Sequence, residues 1–164
     1  MDKGLVQIYS GAGHGKSAAA IGRAIQEACD GKNAVIISFL KKTKNEEFLK
    51  RLEPEVKFFR FEKNAEDFCQ LTPEKQKEEI YNIKNGLNFA RKVLTTGECS
   101  LLVLDEVLGL LDNGIITIED LKKILEAKSE DVSIIMTGIR MSDDVCQLAD
   151  EVSKIEALNY KVFE

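Results

Sequence analysis

The sequence predicts an α/β fold in which a mainly parallel sheet is covered by helices on both faces, giving three layers. Short apolar runs alternate with longer stretches of helical periodicity along the 164-residue chain, the pattern of right-handed strand–helix–strand crossovers. Several of these runs contain almost no polar residues, as expected for strands buried on both faces. No repeat or low-complexity linker interrupts the pattern. We therefore expect a single domain over residues 1–164.

The first half of the chain contains three predicted strands. The apolar run Leu5–Tyr9 predicts the first, and it is followed by a glycine-rich loop and a helix from Lys16 to Cys29. Ala34–Leu40 is nearly continuous in apolar residues and predicts a strand in the interior of the sheet. A short helix over residues 45–52 and a third strand at Val56–Phe61 complete this half.

The second half opens with a helix-start signal. Thr72 supplies a cap, Pro73 a first-turn proline and Glu74 a first-turn acid, and the helix they begin runs to Thr96 with Gly97 just past its end. Five more elements are predicted after it: a buried strand at Ser100–Leu104, a capped helix at Thr117–Ala127, a strand at Val132–Met136, a short helix at Ser142–Ala149 and an edge strand at Glu151–Leu158.

Composition and sequence patterning argue against several classes of function. The formal net charge of -5 does not favour a nucleic-acid or anionic-membrane surface. No apolar run approaches the length of a membrane span, and the first residues lack the apolar core of a signal peptide. The four cysteines are scattered without a Cys-x-x-Cys pair, which argues against a zinc or redox motif. We expect a cytoplasmic protein with no nucleic-acid or membrane partner.

A phosphate-binding loop is predicted between the first strand and the first helix, where the sequence reads Ser-Gly-Ala-Gly-His-Gly-Lys-Ser. Its glycines let the backbone curl so that successive N–H groups point at phosphate oxygens. Lys16 adds a cation, the hydroxyl of Ser17 can coordinate a magnesium ion, and the helix N-terminus adds a positive partial charge. The predicted nucleotide-binding residues here are Gly11, Ala12, Gly13, His14, Gly15, Lys16, Ser17 and Ala18.

Two carboxylates are predicted beside this loop. The apolar strand that ends at Leu104 delivers Asp105 and Glu106 to the carboxyl edge of the sheet, where ligands of such folds bind. A carboxylate there can hold Mg2+ directly or through water. We therefore predict a magnesium site built from Ser17, Asp105 and Glu106, with Glu106 the first choice between the acids. The alternative is that one acid only caps or salt-bridges a local loop.

These motifs together resemble the ATP:corrinoid adenosyltransferases of the cob(I)alamin and cob(I)yrinic acid a,c-diamide type, whose phosphate loop begins with Thr or Ser. Ser10 stands at that first position here. Similar segments follow in order along nearly the whole chain: Ala19–Gly22, Gly31-Lys32, Ser38–Lys42, Val103–Val107, Asn113–Ile116, Thr137-Gly138 and Leu148–Val152.

The resemblance implies a recombinase-like P-loop fold and transfer of the adenosyl group from ATP to the cobalt(I) of a corrinoid, with release of triphosphate, in cobalamin biosynthesis or salvage. The cobalt would be the nucleophile, so no catalytic side chain is expected and Lys16 would stabilise the phosphates. It also implies that Lys41 lies near the nucleotide. An electron-donating reductase and a homodimer are further expectations from the family.

Several positions depart from the family pattern. His14 replaces a lysine, Gln26 replaces an arginine often found near the corrinoid, and Arg140 comes one place late after Thr137-Gly138. The chain has no tryptophan, and Phe68 is either a substitute for the missing aromatic segment or a core residue. Two alternatives therefore stay open: a nucleotide-binding paralogue without corrinoid activity, and a small-molecule kinase or ATPase.

Overall fold

A computed structural model describes residues 3–12, 14–40, 46–159 and 161 of the chain. The strands within these ranges are β1 (Val6–Ser10), β2 (Ala34–Ser38), β3 (Val56–Arg60), β4 (Leu101–Asp105), β5 (Ser133–Gly138) and β6 (Glu151–Lys154). The α-helices are α1 (Lys16–Cys29), α2 (Glu46–Leu49), α3 (Pro73–Thr96), α4 (Val107–Asp112), α5 (Ile118–Glu126) and α6 (Asp143–Cys146). Two short 3₁₀ turns lie at Lys50–Leu52 and Phe68–Gln70.

The strands form one sheet in the order β3-β2-β4-β5-β1-β6. Every pairing among the described strands is parallel, which confirms the predicted parallel sheet. Strand β5 lies between β1 and β4, so the ends of these three strands are neighbours at the carboxyl edge. This order brings the predicted phosphate loop and the predicted acidic pair to the same place.

Alternate residues of the buried strands face opposite layers of helices. On one face Ile36, Val103 and Ile135 pack with Ala20 and Ala24 of α1. On the other face a larger cluster joins the strands to α3, α4 and α5, and it includes Ile37, Leu104, Ile83, Leu110 and Leu121. Because both faces are covered, the interior strands β2, β4 and β5 are buried and mostly apolar, whereas the edge strand β6 is exposed. The three-layer α/β prediction is confirmed.

The long helices begin and end at the residues that the sequence indicated. The Thr72 hydroxyl accepts a hydrogen bond from the Lys75 N–H at the start of α3, and Gly97 ends this helix in the left-handed region with φ 69°. At the start of α5, Thr117 and Asp120 exchange hydrogen bonds in a capping box. The Thr117 N–H holds the pKa of Asp120 below its ordinary value.

Some boundaries differ from prediction. Strand β2 ends at Ser38, two residues early, because Leu40 turns into the left-handed region with φ 60°. Strand β6 and helix α6 are also shorter than predicted. Helix α4 was not predicted, because its short apolar sequence follows directly on a buried strand.

None of the helices in the described part of the chain is both long and apolar enough to cross a membrane.

Candidate nucleotide-binding site

The ends of β1, β5 and β4 hold the predicted site together through backbone contacts. Ser10 pairs with Gly138 in the register of β1 and β5. The Gly11 N–H then donates to the Gly138 carbonyl at 3.2 Å, and the Ile155 N–H donates to the Ser10 carbonyl at 2.7 Å. The start of the loop is thus fixed from both sides. The hydroxyl of Ser10 is buried and donates to the Met141 sulfur at 3.3 Å, so it anchors the loop to the segment after β5.

The backbone of the loop requires glycine at two described positions. A Cβ at Gly11 would collide with the Ile155 carbonyl, so only glycine allows the edge strand to approach this closely. Gly15 has φ 113° and is the N-cap of α1, a conformation that side chains disfavour. A glycine cap supplies no side-chain acceptor, so the first N–H groups of α1 are not capped in the usual way and suit an anionic ligand.

A buried ion pair occupies the centre of the site. The Lys16 Nζ lies 3.2 Å from the Glu106 Oε1, and the two side chains are 6% and 9% exposed. That oxygen nevertheless accepts no hydrogen bond within the described part of the chain, so the contact is a charge pair without hydrogen-bond geometry. A buried carboxylate oxygen with spare acceptor capacity is unusual. It is therefore available to a ligand of the site.

A hydroxyl and carboxylate network links the loop to both acids. The Ser17 hydroxyl donates to the Asp105 Oδ1 at 2.8 Å, and the Thr137 hydroxyl donates to the same oxygen at 2.7 Å. The Thr137 oxygen in turn accepts from the Glu106 N–H at 2.8 Å. Thr137 thus orients both acids at once. It also satisfies the buried N–H of Glu106, whose backbone lies in the left-handed region with φ 62°.

The donor set fits a magnesium ion. The Ser17 hydroxyl, the Asp105 carboxylate and the Glu106 Oε1 without a hydrogen bond are all oxygen ligands, which Mg2+ prefers. No group of three His, Cys, Asp or Glu residues arranged for a metal occurs among the residues that the structure describes. Mg2+ ordinarily keeps several waters and takes substrate phosphates as ligands, so few protein ligands suffice.

A cavity of about 340 Å³ opens beside the ion pair. Its lining includes the charged side chains of Lys16 and Glu106 and the apolar side chains of Leu40 and Ile139. Ile139 is 52% exposed, which is high for a large apolar residue at a cleft. The residues that line the cavity are Ala12, His14, Lys16, Leu40, Asp67, Glu106 and Ile139.

The structure brings most of the predicted site residues together. Ala12, His14, Lys16 and Glu106 line one cavity, and the neighbouring residues Ser17 and Asp105 are hydrogen-bonded to each other. Gly11 and Gly15 shape the loop, and Ala18 lies on the exposed first turn of α1. Gly13 and Lys41 lie outside the described residues. The roles of all these residues in binding stay predictions.

The sequence analysis did not predict four residues near the site as site residues: Thr137, Leu40, Ile139 and Asp67. Thr137 and Ile139 follow the same principle as the acids, since they lie at or just past the carboxyl end of a buried strand. Ile139 lines the cavity beside Lys16 and Glu106, whereas Arg140 lines a separate one of about 290 Å³.

Phe68, which the sequence left open, packs against the hydrophobic core on the α3 side. Its carbonyl accepts a hydrogen bond from the Gln76 side chain at 2.9 Å. This position supports the interpretation of Phe68 as a core residue and not as a substitute for the missing aromatic segment.

Comparison with known proteins gives one family. The family described as ATP:corrinoid adenosyltransferase BtuR/CobO/CobP matches residues 2–163. Similar curated proteins include the corrinoid adenosyltransferase of Escherichia coli (strain K12), 23% identical over 97% of this chain and 80% of that protein. The corrinoid adenosyltransferase of Pseudomonas aeruginosa is 24% identical over 97% of this chain and 78% of its own length.

Among solved structures, a KaiC-like protein from the archaeon Pyrococcus horikoshii has the same fold. Its TM-score is 0.61 with 16% sequence identity, and the match covers 94% of this chain and 74% of that one. The likeness confirms the recombinase-like P-loop fold.

Proposed function

Because the chain belongs to the ATP:corrinoid adenosyltransferase family, whose match spans residues 2–163, we propose that it transfers the adenosyl group of ATP to the cobalt of a reduced corrinoid and releases triphosphate. The observation that carries the proposal is the buried Lys16–Glu106 ion pair beside the Ser17–Asp105 hydrogen bond. Both lie at the N-terminus of α1, which Gly15 caps. This arrangement suits a polyphosphate and a divalent cation rather than an uncharged ligand.

The loop and α1 would bind the phosphates of ATP. Lys16 exchanges its contact with Glu106 for phosphate oxygens, while the first N–H groups of α1 donate to the same chain of phosphates. The Ser17 hydroxyl and the Asp105 and Glu106 carboxylates would hold Mg2+. When bound, Mg2+ supplies positive charge next to the triphosphate and lowers the cost of its departure.

The transfer requires no nucleophile from the protein. Cobalt(I) attacks the ribose 5' carbon, a cobalt–carbon bond forms, and the bond from that carbon to the triphosphate oxygen breaks. The electron pair of the broken bond leaves with triphosphate, and the cobalt is formally oxidised to cobalt(III). The protein's contribution is to hold the two reactants in line and to stabilise the charge that gathers on the leaving group. We assign the second task to Lys16, whose buried ammonium contacts Glu106 at the site.

The apolar residues that line the cavity would face the second substrate. Leu40 and Ile139 leave part of the cavity without charge, which suits the flat face of a corrin ring better than it suits a second phosphate-rich ligand. The reductase that delivers cobalt(I) and the homodimer expected for the family remain part of the proposal.

One observation favours a second candidate. Ile139 stands at the cavity where the family pattern has an arginine, and Arg140 lines a different cavity. A nucleotide-binding protein that has lost the corrinoid reaction would keep the phosphate site and tolerate this change.

An anaerobic assay separates these candidates. MgATP is mixed with chemically reduced cobalamin or cobinamide, and the loss of the cobalt(I) absorbance is followed with wild-type protein, Lys16→Ala and Lys32→Ala. Lys32 is exposed just after α1 and serves as the matched control. We expect turnover with wild type and Lys32→Ala, and in Lys16→Ala an ATP concentration for half-maximal turnover that is raised about tenfold or more. ATP binding without turnover on either corrinoid would favour the second candidate.

A further inference from the structure

The backbone of Leu40 has a conformation that leucine rarely adopts. Its φ is 60°, and the only other non-glycine residue with positive φ in the described ranges is Glu106. The left-handed region is unfavourable for residues with a Cβ, and such strained positions cluster at ligand sites. Leu40 therefore requires contacts that hold it in place.

The carboxylate of Glu62 supplies the main contact. The Leu40 N–H donates to the Glu62 Oε1 at 2.6 Å, a short hydrogen bond of the charge-assisted kind. Burial raises the pKa of Glu62, while the Leu40 N–H and the charge of Arg60 partly offset this. The preceding residue is also fixed, because the Phe39 N–H donates to the Asp105 carbonyl at 2.9 Å.

Glu62 is itself anchored to α3 through its neighbour. The Lys63 N–H donates to the buried Glu79 Oε1 at 3.1 Å, and the Asn82 side chain donates to the same oxygen at 3.0 Å. The segment after β3 is thereby tied to α3. A carboxylate held in this way can impose a backbone conformation on Leu40 instead of following it.

The side chain of Leu40 lies near the Glu106 carboxylate. A Cβ added at Gly109 of α4 would come 2.8 Å from the Leu40 Cδ1 and 3.7 Å from the Glu106 Oε2. Leu40 therefore covers the first turn of α4 beside the Glu106 carboxylate, and it lines the same cavity as Lys16. An apolar cover at this point keeps water from the charges, and charges attract each other more strongly where water is excluded.

We propose that Glu62 is a positioning residue that holds Leu40 in the left-handed conformation, so that the Leu40 side chain forms the apolar wall of the nucleotide site and shields Lys16 and Glu106 from water. This inference rests on the nucleotide-binding part of the proposed function. In the proposed arrangement Glu62 contacts neither the nucleotide nor a metal ion, and it acts only through Leu40.

The test measures the Kd for ATP by calorimetry in the full chain. Glu62→Ala should weaken ATP binding about fivefold to tenfold, whereas Glu62→Gln, which keeps an acceptor oxygen, should stay within about threefold of wild type. Glu66→Ala is the matched control, because Glu66 is an exposed acid four residues away, and it should leave the Kd unchanged. A thermal melt of each variant confirms that it is folded.

Repeating the Glu62→Ala substitution in a Leu40→Gly variant shows whether the effect of Glu62 on ATP binding depends on Leu40. Leu40→Gly removes both the backbone strain and the apolar wall, so Glu62→Ala added to Leu40→Gly should change the Kd by less than about twofold. An equal loss from Glu62→Ala in both backgrounds, or no loss in either, would overturn the inference while leaving nucleotide binding intact. Absence of ATP binding in wild type would instead overturn the proposed function and this inference with it.

Discussion

Glu106→Gln should destabilise the nucleotide-free protein and make it more responsive to ATP. The Lys16 Nζ and Glu106 Oε1 are 3.2 Å apart and nearly inaccessible to water, so the substitution leaves a buried ammonium without its counter-charge. At an effective dielectric constant of about 20, the attraction at this distance is about 5 kcal/mol. Removal of one partner from a buried pair costs about 3–5 kcal/mol.

The size of the effect can be read as a change in unfolding temperature. For a chain of this length, each kcal/mol corresponds to about 2–4 °C, so the variant should unfold about 6–20 °C below wild type. Phosphate oxygens can replace the lost carboxylate as partners of Lys16. With EDTA present to remove Mg2+, ATP should therefore raise the unfolding temperature more in the variant than in wild type. In wild type the phosphates must compete with Glu106 for Lys16.

Scanning calorimetry with and without ATP measures both effects. Glu119→Gln is the matched control: its partner Lys122 is 3.4 Å away, but the two side chains are 75% and 44% exposed, so the change should be below about 1 kcal/mol. The reasoning is refuted if Glu106→Gln unfolds within about 2 °C of wild type, or if ATP stabilises it no more than it stabilises wild type.

Three further predictions follow from the same network and from the core. Asp105→Asn removes the negative charge of the carboxylate that accepts hydrogen bonds from Ser17 and Thr137. Because this charge would help to hold Mg2+, the ratio of the ATP affinity with Mg2+ to that without Mg2+ should fall about tenfold. An unchanged ratio would exclude Asp105 from the metal site. Thr137→Val leaves the Glu106 N–H buried without an acceptor and should lower the free energy of unfolding in urea by about 1–3 kcal/mol, and a loss below about 0.5 kcal/mol would contradict this. Burial raises the pKa of the Cys99 thiol to about 11, so at pH 8 a thiol reagent should modify the exposed cysteines of the native protein first, and rapid labelling of Cys99 would contradict its burial.

The sequence was sufficient to predict which residues meet at the carboxyl edge of the sheet, while their roles in binding stay predictions. Lys16 and Ser17 belong to one short loop, and Asp105 and Glu106 follow directly on one apolar strand, so their types and spacing identify them. Their meeting at one edge also follows from the sequence, because the carboxyl ends of parallel strands share that edge.

The remaining features depend on contacts between distant parts of the chain. Thr137 becomes important only because β5 lies between β1 and β4, and strand order cannot be read from apolar periodicity. The left-handed conformation of Leu40 is set by a hydrogen bond to Glu62, twenty-two residues later, and leucine itself gives no signal for it. Helix α4 is short and apolar, so its pattern is ambiguous between a helix and the end of a strand.

The measurement that tests adenosyl transfer most directly is the stoichiometry of products after one anaerobic incubation with MgATP and cobalt(I) corrinoid. Phosphorus NMR quantifies the phosphate product, and chromatography quantifies the adenosylated corrinoid in the same sample. We predict one triphosphate for each adenosylated corrinoid, with both products reduced together in Lys16→Ala. Formation of ADP and phosphate or a phosphorylated product, without adenosylated corrinoid, would contradict adenosyl transfer and indicate an ATPase or kinase on the same site.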